Sequence, residues 1–124
     1  MDRQDASYVE RDRCPVYTAM RVIEGRWKPM ICRRLGERSH GFGDLRRAMP
    51  GVTAKVLRQH LRQLEADGIV ARAAQRTPRL RVRYRLTRHG RTLGPVFETL
   101  WTWGVRHLAR DSAASDALDR SGYV

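Results

Sequence analysis

Three groups of residues in this 124-residue chain are of types that do chemistry. The first is a thiol. In "RDRCPVYTAM", residues 11–20, Cys14 stands next to a proline where an apolar helical pattern begins. A thiol at a helix N-terminus faces the positive end of the dipole, and Arg11 and Arg13 lie beside it in sequence. That is a setting in which thiols react as thiolates. The other reading of Cys14 is a small residue packed at the start of its helix, and both stay open. The second group is a row of long donors, Lys55, Arg58, Gln59 and Arg62, at helical spacing. The third is a run of arginines between Arg72 and Arg91. His40, His60, His89 and His107 show no metal spacing with either cysteine, and no CxxC or HExxH occurs. Nucleophile motifs and phosphate-cradling glycine loops are absent too, so the sequence points to no enzyme, metal or cofactor.

The donors and arginines are part of a larger imbalance. The formal net charge is +12 and the isoelectric point is near 11.2, which on so short a chain implies a polyanionic partner. Almost all the basic residues are arginine, which suits bidentate recognition of phosphate and guanine; only Lys28 and Lys55 are lysines. A GC-rich genome would account for part of that bias. From Gly68 to Phe97 there is no Asp or Glu, while Arg72, Arg76, Arg79, Arg81, Arg83, Arg85, Arg88 and Arg91 fall inside. An ordinary surface would intersperse the signs, so this segment reads as a nucleic-acid contact.

Size allows one domain with one core. No apolar run approaches the ~20 residues of a membrane span, and "MDRQDASYVERDR" lacks a signal-peptide core, so the expected place is the cytoplasm, with the nucleoid. Two cysteines do not make a disulfide scaffold. Residues 1–7 read as a flexible arm, 8–110 as the folded domain, and 111–124 as a small, polar, flexible tail.

The elements that must position these groups follow from periodicity. From Pro15, Val16, Ala19, Met20 and Ile23 recur at helical spacing until Gly25. "WKPMICRRLG" makes a second helix, with Pro29 harmless in its first turn, and "FGDLRRAM" a short third. Then Thr53 supplies an N-cap and Gly68 a stop. Between them Leu57, Leu61 and Leu64 form one narrow stripe at about 100° per residue. Lys55, Arg58, Gln59 and Arg62 line the opposite face, as a helix lying in a DNA major groove requires. Alone, the same pattern would describe an ordinary solvated helix face.

It is followed by "IVARAAQ" as a strand, "RTPR" as a turn and "LRVRYRL" as a second strand. Leu80, Val82, Tyr84 and Leu86 alternate with Arg81, Arg83 and Arg85, giving one half-buried face and one cationic face. After the cap Thr87, "RHGRTLGPVFETLWTWGVRHLAR" reads as a helix kinked at Pro95. Its Phe97, Leu100, Trp101 and Leu108 are too apolar for one core contact, so a second copy of the chain is expected there, together with Val16, Tyr17 and Met20. Trp101 and Trp103 completing a monomer core is the alternative. The fold class is mainly α with a small β-hairpin, the order of a winged helix-turn-helix.

The segments "CPVYTAMRVIEGRWKPMI", "FGDLRRAMPGVTAKVLRQHLRQLEADGIV" and "RVRYRLTRHGRTLGPVFETLWTWG" resemble the HxlR family of bacterial transcription regulators, relatives of the MarR-type proteins. The likeness covers roughly residues 14–104, specific in combination rather than motif by motif. It implies a homodimer on a two-fold operator, with terminal helices forming the dimer and the helix at Thr53–Ala66 in the major groove. It puts Thr53, Lys55, Arg58 and Gln59 at base edges, with Arg62 on the same face. Arg46 and Arg47 go to the DNA backbone, and Arg76 and Arg79 at the wing tip to phosphates or the minor groove, with Arg81 and Arg83 behind them. Relatives commonly carry an acidic residue where this chain has Arg83, so the wing is more cationic than usual. Many such regulators use a cysteine at the position matching Cys14 to sense oxidants or electrophiles. Relatives usually have an aliphatic residue where this chain has Cys32, which reads as inert core.

Three functions compete: a sequence-specific regulator, with or without a thiol switch or small-molecule effector; a non-specific DNA-coating protein; and an RNA-binding or protein-interaction module. A specific regulator should prefer its operator by roughly 10³-fold or more. The wing has one aromatic, Tyr84, on its apolar side, so it lacks the stacking platform of RNA readers.

Overall fold

The computed structural model describes residues 14–76 and 80–121. The chain divides into two units, one ending at Arg91 and the other beginning at Thr92. The first contains α1 (Pro15–Val22), α2 (Trp27–Glu37), β1 (His40–Gly41), α3 (Phe42–Ala48), α4 (Ala54–Ala66), β2 (Val70–Arg76), β3 (Leu80–Leu86) and α5 (Arg88–Arg91). The three strands form one antiparallel sheet in the order β1-β3-β2, so the fold is mainly helical with a hairpin, as the periodicity predicts.

The core lies where α2, α3 and α4 meet the base of the sheet. Ile31, Leu35, Leu45, Met49, Leu57, Leu61 and Leu64 are fully buried, and Ile69, just before β2, closes the layer with Val70, Tyr84 and Leu86 from the strands. Each such aliphatic side chain adds about 1.5–3 kcal/mol over an exposed one. The leucine stripe read from sequence is the whole buried side of α4.

Both ends of α4 are set locally. The Thr53 hydroxyl accepts the Val56 N–H at 3.1 Å, which occupies one of the helix's orphan donors. At the other end Gly68 takes φ +74. Its N–H reaches the Glu65 carbonyl at 3.0 Å, and the Ile69 N–H reaches that of Leu64 at 2.9 Å. This paired closure needs a left-handed residue, which glycine supplies without Cβ strain.

The hairpin pairs Val70 with Leu86 through to Arg76 with Leu80. The tip, residues 77–79, lies outside the described residues, and Arg79 with it. Tyr84 and Leu86 are buried but Val82 is exposed, because the hairpin there extends past the core. β1 carries no sequence signal at two residues long; it pairs His40 with Tyr84 and Gly41 with Arg83.

Two expectations are corrected. The helix after Thr87 is not continuous with a kink at Pro95: α5 stops at Arg91, and α6 (Gly94–Ser121) starts afresh with Pro95 as its second residue. Proline lacks an N–H and clashes with the carbonyl four residues back, which here is Arg91; a first turn tolerates it, a helix interior does not. The polar tail expected from residue 111 instead continues α6 to Ser121. Ala113, Ala114, Ala117 and Leu118 are strong helix formers, and extending an existing helix avoids the cost of nucleation. Within α6 the Trp103 and His107 rings stack one turn apart at 4.8 Å. Among the described residues no helix is long and apolar enough to cross a membrane.

Candidate nucleic-acid interface

Burial of Leu57, Leu61 and Leu64 turns the opposite side of α4 outward. Lys55, Arg58, Gln59 and Arg62 are all exposed there, and Thr53 is exposed at the cap. The connection from α3 is short and anchored: Met49 and Val52 are buried, and Gly51 takes φ +98. α3 and α4 therefore form a helix-turn-helix with a short, anchored turn, with Arg46 and Arg47 exposed on the first helix.

The exposed arginines are not equivalent. The guanidinium carbon of Arg58 lies over the Phe42 ring, 4.8 Å from its centroid. Arg47 is ion-paired to Asp44, three residues back on α3. The hydrogen bond from Arg47 holds the Asp44 carboxyl below the usual carboxylate range, helped by the Gly41 N–H and the nearby charge of Arg83.

On the hairpin, Arg76, Arg81 and Arg85 are exposed. Arg83 is half-buried: its Nε donates to Ser39 Oγ at 3.2 Å and its Nη2 to the Ser39 carbonyl at 2.9 Å. Its guanidinium is thus tied to the loop before β1, unlike that of Arg81. Arg72 pairs with Glu65 at 3.4 Å, fastening β2 to the last turn of α4.

The two cysteines differ in burial. Cys14 is half-buried at the N-cap of α1, where its carbonyl accepts the Thr18 N–H at 2.8 Å. Cys32 is buried, and burial pushes its thiol up to about 11, against the smaller opposing pull of Lys28. Neither is in a disulfide. Among the described residues no three His, Cys, Asp or Glu side chains gather as a metal site.

The residues expected at a dimer contact carry exposed apolar surface. No residue of α1 is buried; Val16 and Met20 are 67% and 62% exposed, and Tyr17 is exposed. On α6, Leu100, Trp101 and Leu108 are exposed and Phe97 is half-buried. Phe42, Asp44 and Ser39 were not singled out by sequence. Phe42 and Arg58 stand sixteen positions apart on different helices, and Ser39 and Arg83 forty-four, so no periodicity links them.

Residues 22–112 match the family described as HxlR-like helix-turn-helix. The uncharacterized HTH-type transcriptional regulator YtcD of Bacillus subtilis (strain 168) is 37% identical over 77% of this chain and 75% of its own. Its crystal structure superposes with a TM-score of 0.70, at 36% identity over 77% of this chain and 97% of that one. The redox regulator HypR in its reduced form gives a TM-score of 0.72 at 37% identity, over 82% of this chain and 98% of that one. A MarR-family regulator from Enterococcus faecalis V583 gives 0.72 at 31% identity, over 82% and 92%. The family match spans the α2–β3 scaffold that presents the donor row of α4, and the chain belongs to the HxlR-like helix-turn-helix family of transcriptional regulators.

Proposed function

We propose that the protein is a homodimer that binds a two-fold DNA operator through α4, with Cys14 coupling operator affinity to oxidants or electrophiles. The observation that carries the DNA reading is the exposed row Lys55, Arg58, Gln59 and Arg62 opposite three buried leucines. The major groove, about 12 Å wide, admits a helix. Arg58 there offers a bidentate pair to guanine and Gln59 one to adenine, while Thr53, Lys55 and Arg62 lie within the same footprint. Arg46, Arg76, Arg79 and Arg81 meet phosphates and set the register without reading sequence, and Arg47 joins them only when released from Asp44. Neutralising about 6–10 phosphates costs about 10³–10⁵ in affinity between about 50 and 200 mM salt.

The dimer reading rests on α1, an eight-residue helix with no buried residue, and on the exposed apolar residues of α6. A helix that short is not stable in water without tertiary packing. Half-sites then lie about 34 Å apart, one helical turn of DNA, or a multiple of it.

The thiol reading rests on the place of Cys14 at the head of α1 and on the likeness to HypR, which is named a redox regulator. Two Cys14 thiols joined as an intersubunit disulfide would pass two electrons and two protons to an oxidant such as a diazenedicarboxamide. An electrophile would add to one thiolate. Either change would shift the two reading heads relative to each other. The protein would act in the cytoplasm, on the nucleoid.

Footprinting on the DNA upstream of the protein's own gene, with and without diamide, tests specificity, half-site spacing and the switch together. Two protected half-sites that weaken on oxidation support the reading. A Cys14→Ser protein that still responds normally to diamide or a quinone removes the thiol part. Equal binding to unrelated DNA would return the protein to the DNA-coating alternative that its net charge permits.

A further inference from the structure

We propose that Phe42 is a specificity-determining positioning residue: its ring holds the Arg58 guanidinium so that Arg58 meets one base pair in a set orientation. The inference rests on the reading of α4 as the helix that enters the groove.

Arginine is long and has many rotamers, so an arginine that must read a base gains from being ordered before it binds. Carboxylates commonly do this, but they take up the donors that the base needs. Among the described residues no carboxylate holds Arg58; the Phe42 ring lies under it, with 4.8 Å from the guanidinium carbon to the ring centroid. Unlike a carboxylate, an aromatic ring offers no oxygen to take up the guanidinium donors, which O6 and N7 of a guanine need. The neighbours show the contrast. Arg47 is paired to Asp44, and Arg83 donates to Ser39 at two atoms.

Phe42 can serve as a platform because its own place is fixed. It is the first residue of α3, and Gly41 before it pairs with Arg83 in the sheet. Leu45 on the same helix and Met49 at its C-cap are 0% exposed, so the core sets the orientation of α3. Phe42 itself is half-buried, which leaves part of the ring open to a cation. Strand pairing, core packing and ring therefore converge on one side chain of the reading helix.

The test begins with duplexes selected from a random pool by the wild-type protein. Arg58→Ala identifies the base pair that Arg58 reads, as the position where preference is lost; a bidentate contact is worth roughly five- to 150-fold there. Phe42→Leu is expected to weaken binding to the preferred duplex about two- to fivefold. It should leave duplexes substituted at that base pair unaffected and add nothing in the Arg58→Ala background. Phe42→Tyr and Phe42→Trp should retain the preference. Equal losses on all duplexes, or an undiminished Phe42→Leu effect without Arg58, would make Phe42 a packing residue only and overturn the proposal.

NMR on the wild-type protein gives a readout that needs no variant to fold. An upfield ring-current shift of the Arg58 Nε–H supports the stacking, and its absence overturns it. If the wild-type protein selects no duplex while that shift is present, the DNA reading has failed rather than the stacking.

Discussion

A Cβ on residue 90 would collide with the carbonyl oxygen of Ile69, so Gly90 and Ile69 meet backbone against backbone. The same carbonyl accepts the Thr87 N–H at 2.9 Å, and the Thr87 hydroxyl donates to the carbonyl of Gly68. Thr87 Oγ1 also accepts the Gly90 N–H at 2.9 Å, capping α5. These contacts lock α5 against the chain that leaves α4, at the foot of the wing. Because the obstacle is main chain, no side-chain rotation relieves it. Gly90→Ala is expected to cost about 1–3 kcal/mol, read as a lowered midpoint in urea unfolding. An unchanged midpoint would show that α5 does not dock in this way.

Thr53→Ala removes the hydroxyl that accepts the Val56 N–H. The expected loss is about 1 kcal/mol, or roughly 2–8 °C in the thermal midpoint, with Thr53→Ser close to wild type. Calorimetry on the three proteins separates the cap from any role of the side chain at DNA, because no DNA is present.

What was legible in the sequence was local. Thr53, the Leu57–Leu61–Leu64 stripe and Gly68 define α4 within sixteen residues, and strict alternation defines β3. What was not legible depends on chain segments far apart. β1 meets β3 across more than forty positions, and that pairing places Arg83 beside Ser39. Arg83 therefore looks from sequence like its neighbours Arg81 and Arg85, although it alone is tied to the loop before β1. The Phe42–Arg58 contact is hidden for the same reason. Pro95 shows a different limit: proline chemistry announces an interruption, but a kink and a fresh start satisfy it equally, and the chain takes the second.

The two thiols should separate cleanly under a disulfide reagent. Cys14 is half-buried at a helix start, while Cys32 is buried with its thiol raised from 9.0 to about 11 by burial. One fast equivalent is expected in the native protein, lost in Cys14→Ser, with Cys32 reacting only on unfolding. The raised value also has a consequence for stability. Unfolded chains release the Cys32 proton near 9.0 and folded ones near 11, so stability falls as pH rises between those values. Cys32→Ala should remove that slope from denaturant unfolding measured across the window.

Asp44 restrains Arg47, and its depressed carboxyl keeps the pair charged at neutral pH. Asp44→Asn should free Arg47 for a phosphate. On unrelated DNA the log-affinity against log-salt slope is then expected to steepen by about one. An unchanged slope would place Arg47 away from the DNA backbone.

Met20 and Leu108 are 62% and 68% exposed within the single chain. If a second copy covers them, Met20→Glu and Leu108→Glu should each shift sedimentation toward the monomer while helical content holds. Operator affinity should fall with dimer content, because one reading head then binds without the other. A wild-type protein that sediments as a monomer at all accessible concentrations would remove the two-fold operator.

The most direct measurement is a competition titration of the preferred duplex against unrelated DNA, for the wild-type protein and for a variant with Lys55, Arg58, Gln59 and Arg62 all changed to alanine. These four side chains are exposed on α4, so the variant should keep the wild-type fold. The expected result is a preference of roughly 10³-fold or more in the wild type, collapsing in the variant while weak, salt-sensitive binding persists. A preference that survives the four substitutions, or a wild-type protein without one, would contradict the reading of α4 as the helix that recognises DNA.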